Sequence, residues 1–326
     1  MRLVVLDGYT LNPGDVSWDG LPSGVACQVF DRTTPDELYE RSKDADILLT
    51  NKTPLTSSAL KSLPSLKYIG VLATGYNVVD VEQAERQNII ITNVPGYGTN
   101  SVAQLVFALI LELCNHVGQH SDAVRSGAWT ANPDWCFWQT PLIELHGKTL
   151  GIVGYGRIGQ CVGRLGHAFG MNVLVTSSRP PTQKTTFEQW ATLDEIFSKS
   201  DIVSLHCPLN ASTTGMVHAG RLARMKREAF LINTSRGSLI VEEDLADALN
   251  AGTIAGAALD VLSTEPPPKS NPLLRAKHCI VTPHIAWATR EARGRLISTA
   301  LNNVAAWLAG RPENVVNKYS SQFERQ

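Results

Sequence analysis

The sequence has no surplus of charge of either sign, no paired cysteines and no long apolar run, and each absence excludes a class of protein. Over 326 residues, 29 basic side chains face 30 acidic ones, leaving a formal net charge of −1. Without a basic surplus there is no broad face for a phosphate backbone, so nucleic-acid binding is not expected. The six cysteines (Cys27, Cys114, Cys136, Cys161, Cys207 and Cys279) form no C-x-x-C pair and have no histidine at ligand spacing, so no metal site is expected. The longest apolar stretch, 101–114, is broken by Gln104 and Glu112 and is too short to span a bilayer, so no membrane association is expected. The N-terminus turns polar by Asp7, too soon for a secretory signal. The expectation is a soluble, cytoplasmic protein. Hydrophobic residues make up 43% and charged ones 18%, a globular composition, and the length suits two domains of about 150 residues each.

Short apolar, β-branched runs alternate with helical patterns along the whole chain. Strands are expected at 3–7, 47–50, 68–71, 89–92, 149–153, 172–176, 202–205, 229–233, 256–259 and 279–282. Most are continuously apolar and do not alternate, as in parallel strands covered on both faces. Helical stretches such as 102–114, 160–169 and 242–250 lie between them, which makes the chain α/β. Pro and Gly break the pattern at 93–101, and a second break lies at 283–289. These breaks divide the chain into a dinucleotide-binding domain, 99–289, inserted into a smaller domain made of 1–98 and 290–326.

The sharpest motif is Gly154-Tyr155-Gly156-Arg157-Ile158-Gly159, a G-x-G-x-x-G run that follows a buried-strand pattern and opens a helix. Gly154 suits the tight turn, Gly156 the close approach of a pyrophosphate, and Gly159 the packing of helix on strand. The helix N-terminus then offers free amides to the anion. The acid that usually binds the ribose 2′-hydroxyl about 20 residues on is missing; Ser177, Ser178 and Arg179 stand there instead. Two hydroxyls and a guanidinium suit a 2′-phosphate. NADP(H) is therefore favoured, and NAD(H) stays open because Arg179 also reads as a solvated loop charge.

Other polar groups cluster where strands are expected to end: His206, Cys207 and Pro208; Thr234, Ser235 and Arg236; Asp260; Pro283, His284 and Trp287. Carboxyl ends of parallel strands line the ligand crevice in this architecture. Glu265 follows on a loop stiffened by Pro266, Pro267 and Pro268. With Ala73, Thr74 and Gly75 and the helix start at Ser101, these segments make the chain resemble the D-isomer-specific 2-hydroxyacid dehydrogenases, in order and spacing over almost its whole length. Within that family it is most similar to glycerate dehydrogenases, also called hydroxypyruvate reductases. The resemblance implies two doubly wound, Rossmann-like parallel-sheet domains with the active site in the cleft between them.

It also implies a catalytic triad of Arg236, Glu265 and His284. Reduction of a 2-keto acid such as hydroxypyruvate or glyoxylate needs hydride from a nicotinamide and a proton on the carbonyl oxygen. His284 would give the proton, Glu265 would orient its ring and favour the charged form, and Arg236 would hold the substrate carboxylate. Amides of Ala73, Thr74 and Gly75 would grip the same carboxylate, and Trp287 would shape the pocket. Arg157 and Ile158 would lie along the pyrophosphate, Cys207, Pro208 and Thr213 by the adenosine, and Thr234 and Asp260 by the nicotinamide. The stretch from Trp129 to Trp138 holds three of the seven tryptophans and is too aromatic for a solvated loop. The resemblance makes the segment near 120–145 a dimerisation arm, so a homodimer is expected. Other readings of the same residues are a family dehydrogenase for another 2-keto acid and a dinucleotide-sensing corepressor. Phosphoglycerate oxidation is disfavoured because little chain follows His284, and formate oxidation because that family pattern has Gln where Glu265 stands.

Overall fold

The computed structural model describes residues 1–178 and 186–319. The chain divides into two compact units, Met1–Gly98 with Trp287–Gln326, and Thr99–Ala286. The return crossing falls at Trp287, ahead of the expected Arg290, because the Trp287 ring packs on the first unit's core and meets Tyr97 edge-on.

The first unit holds a parallel sheet of β1 (Arg2–Val5), β2 (Ala26–Val29), β3 (Ile47–Thr50), β4 (Tyr68–Val71) and β5 (Ile90–Thr92), in the order β2-β1-β3-β4-β5. Its side chains alternate between two apolar layers, as a pleated strand requires. Leu3, Val5, Ile47, Leu49 and Tyr68 face one layer, completed by Leu296, Ile297, Ala300, Leu301, Val304 and Trp307 of helix Arg290–Leu308. Val4, Leu6, Leu48, Ile69 and Val71 face the other.

The second unit holds β6 (Thr149–Val153), β7 (Asn172–Thr176), β8 (Glu188–Trp190), β9 (Ile202–Leu205), β10 (Phe230–Asn233), β11 (Gly256–Leu259) and β12 (Cys279–Val281). These are parallel in the order β12-β11-β10-β9-β6-β7-β8, so the strand order reverses between β6 and β9. Each unit is thus a doubly wound parallel sheet, the fold class expected from the sequence. The central strands β9, β10 and β11 are buried along their whole length, and helix Thr99–Asn115 covers one face with nine buried side chains. No single helix among the described residues is long and apolar enough to cross a membrane. Two strands were not expected, β2 and β8. Both are edge strands; β2 is exposed throughout and β8 spans three residues, so neither carries an apolar run.

Candidate active site

In the second unit the switch point lies at the end of β6, where the three glycines have separable steric reasons. Gly154 has φ +96°, and a Cβ there would sit 2.5 Å from the Cys207 nitrogen and 2.6 Å from the His206 carbonyl carbon. A Cβ on Gly159 would lie 2.2 Å from the Gly154 oxygen. These two are demanded by the fold itself. A Cβ on Gly156 would meet nothing within 4 Å, so the chain does not explain that glycine. Gly156 caps helix Arg157–Ala168 without any side-chain hydrogen bond, which leaves the first amides of that helix for an anion. The open space above Gly156 and those amides fit the pyrophosphate of a dinucleotide.

The other residues expected at the cofactor fall into different settings. Arg157 is exposed and Ile158 half-buried at the helix start. The Tyr155 ring is 3% exposed and packed edge-on to Trp190, and burial pushes its hydroxyl up to about 12. Only its backbone remains for a ligand. Ser177 and Ser178 follow β7, whose Thr176 carbonyl accepts from the Gly154 amide at 2.8 Å, so they adjoin the glycine turn. Arg179 lies outside the described residues. Cys207 is buried, in contact with the Met216 sulfur at 3.7 Å, and desolvation pushes its thiol up, away from the thiolate that a nucleophile needs. The Thr213 hydroxyl is spent inside its own loop, donating to the Pro208 carbonyl at 2.7 Å and accepting from the Asn210 amide at 2.9 Å. Thr234, just after β10, has a buried hydroxyl with no hydrogen-bond partner among the described residues. A buried polar orphan of this kind is rare and suits a ligand-facing position.

Arg236 follows on a turn that Asn233 builds. The buried Asn233 amide donates to the Arg236 carbonyl at 2.9 Å, and its oxygen accepts from the Ser235 amide at 3.0 Å. Ser235 is held by the Cys207 carbonyl at 2.7 Å. The exposed Arg236 guanidinium uses one nitrogen on the Ser235 carbonyl, at 2.7 Å, leaving most of its fork available to an anion.

His284 and Glu265 are in direct contact: the imidazole Nδ1–H donates to the Glu265 carboxylate at 2.6 Å, and both side chains are about one-third exposed. His284 has φ +56°, a conformation uncommon outside glycine and asparagine, so its surroundings must hold it there. Asp260 does so. Its carboxylate, 1% exposed, accepts from the Thr282 hydroxyl at 2.6 Å and the amides of Ile285 and Ala286 at 2.9 and 2.8 Å. Sequence reasoning assigned Asp260 to the nicotinamide and missed this clamp on the histidine loop. An aspartate ending a strand gives no signal of which later amides it will collect.

In the first unit, the loop after β4 carries Ala73, Thr74 and Gly75. The Ala73 carbonyl accepts from the Val94 amide at 3.0 Å and the Thr74 carbonyl from the Asn93 side chain at 2.7 Å. The amides of Ala73, Thr74 and Gly75 have no partner among the described residues, so the loop offers donors and has its acceptors tied down. Trp287 is half-buried, 6.4 Å from Tyr97 between ring centroids. No cluster of three or more His, Cys, Asp or Glu side chains able to hold a metal occurs among the described residues.

A family model, D-isomer specific 2-hydroxyacid dehydrogenase, NAD binding domain, matches residues 107–286. The chain belongs to this family. Among D-isomer specific 2-hydroxyacid dehydrogenases it is 52% identical over 322 residues to a hydroxypyruvate reductase from Blautia hydrogenotrophica, covering 98% of this chain and 100% of that one. A glycerate dehydrogenase from Methylorubrum extorquens is 40% identical over 285 residues, 87% of this chain and 89% of its own. Among solved structures, the NADPH-dependent glyoxylate/hydroxypyruvate reductase of Sinorhizobium meliloti in complex with citrate superposes with a TM-score of 0.83 at 28% identity, covering 97% of each chain.

Proposed function

We propose that this chain reduces a small 2-keto acid, hydroxypyruvate or glyoxylate, to the D-2-hydroxy acid and runs the reverse oxidation, with NADP(H) preferred over NAD(H). The observation that carries the reading is the His284–Glu265 contact at 2.6 Å on a clamped loop, with a largely uncommitted Arg236 fork at another strand end of the same sheet. A bound nicotinamide dinucleotide supplies the hydride. His284 gives the carbonyl oxygen a proton from Nε2 and recovers it in the oxidation. Glu265 fixes the ring through Nδ1–H, so the other nitrogen faces the reacting oxygen. Arg236 binds the substrate carboxylate through its planar fork and stabilises charge on the carbonyl oxygen. Amides of Ala73, Thr74 and Gly75 are assigned to the same carboxylate and Trp287 to the substrate wall.

The dinucleotide is assigned to the 154–159 turn, Ser177, Ser178, Arg179, Cys207, Pro208, Thr213, Thr234 and Asp260, with Tyr155 acting through its backbone. The absence of an acid after β7 supports the phosphate-bearing cofactor, since a carboxylate there would repel it. Initial rates with hydroxypyruvate, glyoxylate and pyruvate, each with NADPH and NADH, test both points. Hydroxypyruvate turnover that collapses in His284→Ala is expected. An NADH preference would refute the cofactor assignment, and tight dinucleotide binding without turnover of any keto acid would refute the reaction.

The homodimer is proposed on the exposed aromatics of the arm, with Trp129, Trp135 and Trp138 at 50%, 86% and 66% exposure. Such a patch is unusual on a monomer and suits a second copy of the chain. Sedimentation at micromolar concentration is expected to give a dimer, and Trp135→Ala with Trp138→Ala a monomer. A wild-type monomer would refute it.

A further inference from the structure

We propose that Glu242 is a positioning residue for the keto-acid reduction, holding through Ser263 and Asn271 the loop that presents Glu265 to His284. This rests on the reaction assigned above and adds a residue that acts through the loop and not on the substrate.

Glu242 opens helix Glu242–Asn250, where an acid suits the helix dipole, as Glu243 and Asp244 also do. Those two are not buried. Glu242 is 8% exposed and has no ion-pair partner among the described residues, a costly setting for a carboxylate unless hydrogen bonds compensate it. Both of its oxygens are turned to the catalytic loop. One accepts from the Ser263 amide at 2.7 Å and the other from the Asn271 side-chain amide at 2.8 Å. Asn271 is itself fixed: its oxygen accepts from the Leu273 amide at 3.0 Å and its own amide donates to the Pro268 carbonyl at 2.9 Å.

Glu265 lies on the chain between these two anchors. One of its oxygens accepts from the Leu262 amide at 3.1 Å, and the other takes the His284 ring at 2.6 Å. The near end of the loop is fixed by Asp260, and its back lies against Gly237, the residue after Arg236. Glu242 therefore ties the two ends of the Glu265 segment to the sheet-covering helix. Without it, Ser263 and Asn271 each lose a partner, and the segment that carries Glu265 loses its tie to that helix.

The test is a donor–acceptor exchange. Glu242→Gln keeps shape and volume and still accepts from Ser263, but its NH2 then faces the NH2 of Asn271. Asn271 cannot turn over without losing Leu273. In Glu242→Gln with Asn271→Asp, the glutamine donates to the aspartate where the glutamate accepted, so that one bond is restored in the opposite sense while the Ser263 and Leu273 amides keep their acceptors. For Glu242→Gln, kcat is expected to fall roughly ten- to a hundredfold with keto-acid KM and dinucleotide Kd within about twofold, and the low-field NMR signal of the His284 Nδ1–H bond to be lost. The double variant is expected to regain both the rate and the signal, an outcome that a general loss of packing would not give.

Wild-type kcat in Glu242→Gln overturns the proposal, and so does a loss that the double variant fails to rescue. If Glu242→Gln does not fold, the double variant alone decides: near-wild-type kcat supports the proposal and a deep loss overturns it. Absence of wild-type turnover would instead overturn the reaction, leaving the NMR signal to decide the positioning role.

Discussion

Replacing Gly237 by alanine is the sharpest single perturbation of the site, because the consequence can be worked from distances. Gly237 does not have a positive φ, so alanine meets no backbone penalty there, and by chain entropy alone the change would stabilise by roughly 0.4–1 kcal/mol. The Cβ, however, would lie 1.9 Å from the Leu262 carbonyl carbon and 2.3 Å from the Ser263 nitrogen, whereas ordinary contact begins at 3.4 Å. The obstacle is backbone, so no rotamer relieves it, and the two segments must part by about 1.5 Å. A Glu265 carried along by that shift leaves hydrogen-bond range of His284, from which it is now 2.6 Å. Overpacking of this kind costs roughly 1–3 kcal/mol, a fall of roughly 2–12 °C in Tm for a unit of this size. Misplacement of a catalytic group by about 1 Å costs roughly a hundredfold in rate. We therefore expect Gly237→Ala to remain folded, to bind dinucleotide normally, and to lose about two orders of magnitude in kcat for hydroxypyruvate at saturating cofactor. Initial rates and a thermal melt on one preparation are sufficient. A variant with unchanged Tm and kcat within twofold of wild type would refute the reasoning, since it would mean that the Leu262–Ser263 backbone is free to move.

Gly156→Ala should behave in the opposite way: its Cβ enters open space, so Tm should hold within about a degree while dinucleotide Kd rises at least tenfold, as calorimetry would show. Arg236→Lys keeps the charge and loses the fork, so the keto-acid KM should rise and kcat/KM fall by roughly one to three orders of magnitude, with dinucleotide Kd unchanged. Burial holds the His206 imidazole down at about 4, against an ordinary value of 6.5. The unfolded chain takes up that proton first, so the stability contributed by neutral His206 is whole above pH 6.5 and is lost as pH falls from there towards 4. His206→Asn, which can still meet the Ser204 hydroxyl now 2.8 Å from the ring, should flatten that part of the stability curve measured by urea titration. An unchanged slope would assign it to other groups.

The parts of the molecule legible in the sequence are those where one physical cause dominates. The interior strands β3, β9, β10 and β11 are short apolar runs because both faces are covered, and a run of that kind is visible without a structure. β2 and β8 lie at edges and are held by backbone pairing with a single neighbour, which leaves no mark on side-chain pattern. Gly154 and Gly159 are readable from their motif, and the structure supplies the colliding atoms. The same motif places the Tyr155 backbone at the turn but does not say that its ring turns into the core. The contact of His284 with Glu265 was assigned from family resemblance, whereas the roles of Asp260, Glu242 and Asn271 are not legible at all. Asp260 and Glu242 act through long-range hydrogen bonds to backbone amides, which have no sequence identity, and Asn271 acts through a side chain 29 residues from its partner.

The crossing points at Gly98 and Trp287 have a consequence for synthesis on the ribosome. Everything that the second unit needs has emerged once Ala286 clears the exit tunnel, while the first unit still lacks helix Arg290–Leu308 and the six apolar side chains it contributes to one layer. The N-terminal sheet is therefore made first and finished last: its face stays uncovered through the translation of the whole inserted unit. At ~5–20 residues per second that interval is on the order of ten to forty seconds. A nascent chain of this shape has a folded middle and an unfinished beginning, and the window for chaperone capture falls on the segment that would ordinarily fold earliest.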